Sequence, residues 1–161
     1  MQKMCAEMRI IMKNKKLFLG TVLVLLVSML LGKLANGQIP TNSIYEDDDF
    51  KVILDAAPAA KGHAIILPKT HAANLFELPD EYGEKIFAIA KKCGKAIKET
   101  YDYDRLNVLQ NNGEAAGQTV FHFHMHLIPR MKDDNIDIKW AQGECADGEK
   151  IAEKIKANLT D

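Results

Sequence analysis

Three of the chain's five histidines fall within five positions, at His122, His124 and His126. They alternate with Phe121, Phe123, Met125 and Leu127, the period-two pattern of a β-strand, and the run closes on Pro129. On such a strand the imidazoles share one face, spaced about 6.5–7 Å, and the apolar residues take the other, toward a core. This row admits three chemistries. It can be a half-solvated face without a role, or it can ligate zinc or a related ion through neutral imidazole. In the third, one imidazole is a nucleophile or acid–base group and a neighbour handles an anionic part of a substrate. Catalytic metals draw ligands from several elements, and three same-face neighbours on one strand seldom converge on one ion. The third chemistry is therefore favoured. Crowding helps it, because like charges compete: one imidazole stays neutral near pH 7 while another donates.

The stretch before the row matters as much. Asn111-Asn112-Gly113-Glu114-Ala115-Ala116-Gly117-Gln118-Thr119 is rich in Gly, Ala and Asn, so its amides can turn toward a ligand. Gln118 and Thr119 add side-chain donors beside the first histidine. No Lys or Arg occurs in the loop or the run, and the first cation is Arg130. Amides, hydroxyls and imidazoles suit a phosphate of about one charge better than a polyphosphate tail.

The elements that must position these groups read as one α+β domain. Strands are expected at 43–46 and 50–54 around the acidic turn Asp47-Asp48-Asp49, at 63–68 after a loop beginning at Asp55, and at 105–110. A long amphipathic helix is expected from Pro79 to Tyr101, with Ile86, Ala90, Cys93 and Ile97 on one face and lysines on the rest. Cys93 reads as a small core hydrophobe. A last helix is expected over 149–157, after a tail with Trp140. Strands adjacent in sequence with one helix inserted favour an antiparallel sheet.

Length, 161 residues, allows one domain with a real core. The net charge of −1, with acids and bases interspersed, suggests no nucleic-acid surface, and no nucleic-acid partner is expected. Cys5, Cys93 and Cys145 form no CxxC pair, so neither a disulfide framework nor a Cys-based zinc site is indicated. The composition is that of an intracellular, cytoplasmic domain. Residues 1–29 differ: a basic stretch around Lys13–Lys16 precedes an apolar run from Leu17 to Gly32, short for a membrane span. It reads as a signal, an anchor through 17–32, or an artefactual extension, ahead of a domain at 30–161. Membrane contact is expected only if this leader is real and retained.

The His-x-His-x-His run resembles the signature of the histidine triad (HIT) superfamily. Ile39-Pro40, Tyr45-Glu46-Asp47-Asp48, Asp55 eight residues before His63, Leu67-Pro68-Lys69 with His71, and Asn111 eleven before His122 resemble its Hint branch, the histidine triad nucleotide-binding proteins. The resemblance covers roughly 30–132. It implies an antiparallel sheet of about five strands with one long and one C-terminal helix, in a two-fold homodimer. It also implies hydrolysis of a purine nucleoside phosphoramidate of the AMP-amide type, without a cofactor. By position, His124 resembles the nucleophile, His126 the residue that contacts the phosphate and assists the leaving group, and His122 the one that orients the nucleophile. Asp55 falls where the family binds ribose, and Asn111, Gly117, Gln118 and Thr119 where it holds the phosphate. Leu30, Leu31, Leu34, Ile53 and Ala56 match purine-pocket positions, and His63 a supporting histidine. Many bacterial relatives carry a zinc-binding Cys pair where this chain has Met29 and Gly32, so no such metal is expected. The alternatives are a dinucleoside polyphosphate hydrolase of the Fhit kind and a nucleotide-binding regulatory module with little turnover. A nucleotidyltransferase is less favoured because that branch replaces the third histidine, and a metal-dependent hydrolase would lose activity to a chelator.

Overall fold

The computed structural model describes residues 30–159 except 140 and 145. The leader, Trp140 and Cys145 thus lie outside the described residues, apart from the leader's last few positions. Five strands form one antiparallel sheet: β1 (Ser43–Glu46), β2 (Phe50–Leu54), β3 (Ala64–Pro68), β4 (Arg105–Leu109) and β5 (Met125–Arg130), in the order β1-β2-β3-β5-β4. Asp47 builds the β1–β2 turn. Its carboxylate accepts the Asp49 and Phe50 amides at 3.0 and 2.7 Å and the Tyr45 hydroxyl at 2.7 Å. These bonds hold the carboxyl below the usual carboxylate range despite the opposing effect of burial.

Helix α1 (Asp80–Tyr101) starts after Pro79, as the pattern requires, and ends at Asp102 in the left-handed region. Its Ile86, Ile89, Ala90, Cys93 and Ile97 are buried against one sheet face. There they meet Phe50, Val52, Ala64, Ile66, Phe123, Met125 and Leu127. Cys93 is a core hydrophobe as expected, and burial pushes its thiol pKa up. A Cβ on Gly94 would stand 2.8 Å from the Leu106 side chain, so a larger residue there would require Leu106 to shift.

Period two sends the alternate residues to the opposite face. Ile53, Ile65 and Leu67 form a second apolar cluster there, covered by a helical turn at 30–35 that contributes Ala35, Leu31 and Leu34. His126 pairs with Ile65 across β3 and β5, which puts its ring on this second face. Helix α2 (Gly148–Lys156) closes the chain with no residue buried.

Two boundaries differ from expectation. β5 begins at Met125, so only His126 of the three histidines lies in a strand, and Pro129 sits inside β5 paired with Leu106 instead of ending it. Residues 120–122 bend, and the Phe123 amide donates to the Ala72 carbonyl at 2.6 Å, outside the sheet. The side-chain alternation nonetheless survives: Phe123, Met125 and Leu127 are buried in the main core. His63 likewise stands just before β3.

Candidate functional site

The bend separates the three histidines. His122 is turned fully inside the protein. Its Nε2 donates to the Pro68 carbonyl at 3.1 Å, which leaves Nδ1 to accept from His71 Nδ1 at 3.3 Å. A buried imidazole needs such partners. Burial lowers its pKa, opposed by the Pro68 carbonyl and reinforced by His71 and His124, so it is neutral at pH 7. His71 was part of the sequence pattern but not of the expected site; the Lys69-x-His71 spacing after β3 was its only signal.

His124 lies half-buried on the extended segment before β5. Its Nδ1 is 2.7 Å from the His122 carbonyl oxygen and must donate to it. The neutral ring therefore carries its lone pair on Nε2, which no described residue engages. The His126 ring stands edge-on at 5.0 Å between centroids. Burial and the neighbouring His124 and His63 push the His126 pKa down to about 4, against the pull of Asp55, so this ring is also uncharged at neutral pH.

Behind His126 stand His63 and Asp55. His63 Nε2 is 2.9 Å from His126 Nδ1, and the Asp55 carboxylate lies 3.6 Å from His63 Nε2 and 3.8 Å from His126 Nδ1. Asp55 is fixed by accepting the Ala57 amide at 2.8 Å. Burial lowers the His63 pKa against the pull of Asp55. The ligand atoms of Asp55, His63 and His126 lie within 4.8 Å of one another, close enough to surround an ion. The donor set argues otherwise. The Ala59 amide donates to His63 Nδ1 at 3.0 Å, so the ring proton sits on Nε2, where an ion would need a lone pair. Gly32, beside His122 with its Cβ position 3.9 Å from Nδ1, offers no ligand at all.

The glycine-rich loop joins β4 to the histidine segment. Gly113 and Gly117 take φ of +83° and +85°, the left-handed region that favours glycine, around a 3₁₀ turn at Glu114–Ala116. Gln118 is buried and fully engaged: its amide nitrogen donates to the Ala73 and Val120 carbonyls at 2.6 and 3.0 Å, and its oxygen accepts from Gly113 at 2.7 Å. Its side chain thus shapes the loop and has no polar atom left for a ligand. Asn111 is half-buried beside Gly117, and Thr119 is exposed. Asn112 accepts the Leu75 amide at 2.8 Å and anchors the loop to the segment ahead of α1. On the second sheet face, Ile53, Leu31 and Leu34 gather in one apolar cluster, whereas Leu30 and Ala56 are exposed at its edge.

A five-stranded antiparallel sheet with one long crossing helix, carrying a triple-histidine segment that a glycine-rich loop joins to β4, defines an α+β architecture. The comparisons give it a family. The HIT domain model matches residues 36–133, and the chain belongs to the HIT family, in its Hint-like branch. The chain is 38% identical over 138 residues to adenosine 5′-monophosphoramidase of Schizosaccharomyces pombe, covering 81% of this chain and 100% of that protein. Among solved structures it resembles a HIT family member from Bacillus subtilis, with TM-score 0.75 and 36% identity over 81% of this chain and 96% of that one. It also resembles a histidine triad nucleotide-binding protein from Candida albicans, with TM-score 0.71 and 33% identity over 80% and 94%.

Proposed function

We propose that this protein hydrolyses the P–N bond of a purine nucleoside 5′-phosphoramidate of the AMP-amide type, through a covalent nucleotidyl-histidine on His124. The observation that carries the reading is the ring of His124: Nδ1–H is spent on the His122 carbonyl, and no described residue engages Nε2. Relatives named adenosine 5′-monophosphoramidase support the substrate class.

The Nε2 lone pair attacks phosphorus and forms the N–P bond. The substrate P–N bond breaks, and the amine leaves with the bonding pair and gains a proton. Water then attacks phosphorus and loses a proton as Nε2 recovers its pair, so the net reaction adds one water across the P–N bond. His126 contacts the phosphate, and His122 orients His124 through its carbonyl. Asp55 accepts the ribose hydroxyls, and the amides of Gly117 and Gln118, with Thr119 and Asn111, hold the phosphate. The purine lies on the cluster of Leu31, Leu34 and Ile53, with Leu30 and Ala56 at its rim.

The enzyme works as a homodimer in this reading, the two sheets joined along an edge strand such as β4. We infer a cytoplasmic setting, and the free, buried thiol of Cys93 fits a reducing compartment. Among the described residues, no helix is long and apolar enough to cross a membrane.

The substrate class is tested by kcat/KM for an AMP phosphoramidate against a dinucleoside polyphosphate. The phosphoramidate is expected to win. A preference for the P–O–P substrate would move the protein to the Fhit-like class. AMP binding without turnover of either would leave a binding module.

A further inference from the structure

His63 is buried, and both of its ring nitrogens are engaged. Its bonds have a direction. The Ala59 N–H can only donate, so His63 Nδ1 must accept at 3.0 Å and the neutral ring carries its proton on Nε2. That Nε2–H points at His126 Nδ1, 2.9 Å away. His126 Nδ1 must then accept, and its own proton is forced onto Nε2, the nitrogen that no described residue engages. We propose that His63 is a positioning residue that, locked by the Ala59 amide, holds His126 as the Nε2–H tautomer and so presents an N–H donor to the phosphate attacked by His124.

The alternative tautomer is close at hand. The Asp55 carboxylate lies 3.8 Å from His126 Nδ1 and would accept a proton placed there, as carboxylates beside histidines commonly do. In that state His126 would turn a lone pair toward the phosphate oxygens and repel them. His63 occupies the position that prevents it. His124 receives the opposite instruction from the opposite kind of group, since a carbonyl at Nδ1 bares its Nε2 lone pair. Two imidazoles 5.0 Å apart thereby present a nucleophile and a donor side by side. A backbone N–H at the far end of the chain of bonds, that of Ala59, decides one of them. His126 makes a hydrogen bond in this role and transfers no proton.

The inference rests on the proposed reaction for the role of the donor, but its structural half is tested without substrate. Imidazole ¹⁵N spectra of the full chain at neutral pH are expected to show His126 as the Nε2–H tautomer. His63→Gln, which retains a donor and an acceptor, should keep that state with kcat within a few-fold of wild type. His63→Leu, which fills similar space with neither, should shift His126 toward Nδ1–H. It should also lower kcat by roughly 10²-fold, the scale of losing one aimed donor, with a smaller change in KM. A His126 in the Nδ1–H form in the wild type overturns the proposal, even if neither variant folds. Equal losses in the Gln and Leu variants with an unchanged His126 tautomer overturn it too. If the tautomers are as stated but no phosphoramidate is cleaved, the positioning stands and the reaction assignment falls.

Discussion

His122 keeps both ring nitrogens inside the protein, on the Pro68 carbonyl and on His71, and none of its surface reaches solvent. His124, two residues on, spends one nitrogen on a carbonyl and leaves the other without a partner among the described residues. The two side chains are identical and the sequence gives them equal weight. The bend at 120–122 makes them different, because it drives one ring into a place where every polar atom must be satisfied and leaves the other half-satisfied at the surface. Structural and reactive imidazoles are thus told apart by how many of their nitrogens the fold has already used.

The largest effect expected from this contrast is at His124. His124→Ala should lower kcat by roughly 10³-fold or more while AMP affinity, measured by calorimetry, and unfolding midpoint change little. His122→Ala should do the reverse in kind. It empties a fully buried site and strands the Pro68 carbonyl, which costs about 2–4 kcal/mol in denaturant unfolding. Should His122→Ala fold as stably as the wild type, the division between the two histidines would be lost.

A third expectation concerns acid. His63, His122 and His126 all have pKa values held below the ordinary 6.5, His126 at about 4. The unfolded chain therefore binds protons that the folded one refuses, and the stability from neutral imidazole is complete above pH 6.5 and lost as pH falls through the folded value. His126 alone accounts for about 3 kcal/mol between those limits. Urea unfolding at pH 7.5 and at pH 5 should show the loss, and His126→Asn should flatten it. Identical pH slopes in the two proteins would place the acid sensitivity elsewhere, in carboxylates such as Asp47. The smallest effect is at His71, the exposed partner of His122. His71→Ala removes one long hydrogen bond, costs about 1 kcal/mol or less, and leaves kcat unchanged.

Much of this was legible in the sequence, for reasons that the structure makes plain. Helix α1 and strands β1, β2 and β4 follow local periodicity, since each buries one face against one partner. The alternation through Phe123, Met125 and Leu127 located the core side of the histidine segment correctly. The start of β5 was not legible, because the bend is set by a bond to Ala72, some fifty positions upstream. Nor was the role of Gln118, whose three bonds run to Ala73, Val120 and Gly113 and consume the amide that composition offered to a ligand. The directing group for His63 is a main-chain amide of Ala59, and no side-chain pattern can announce a backbone donor. Residue types revealed which chemistry was possible; which ring nitrogens stay free is set by main-chain groups such as the His122 carbonyl and the Ala59 amide.

The most direct test of the account is to look for the covalent intermediate. Rapid quenching of the full chain with a slow AMP phosphoramidate, followed by mass mapping of the peptide 121–130, should find one nucleoside monophosphate on His124, unaffected by chelator and absent in His124→Ala. Steady turnover with no adduct at His124, or an adduct on another histidine, would contradict covalent catalysis by His124.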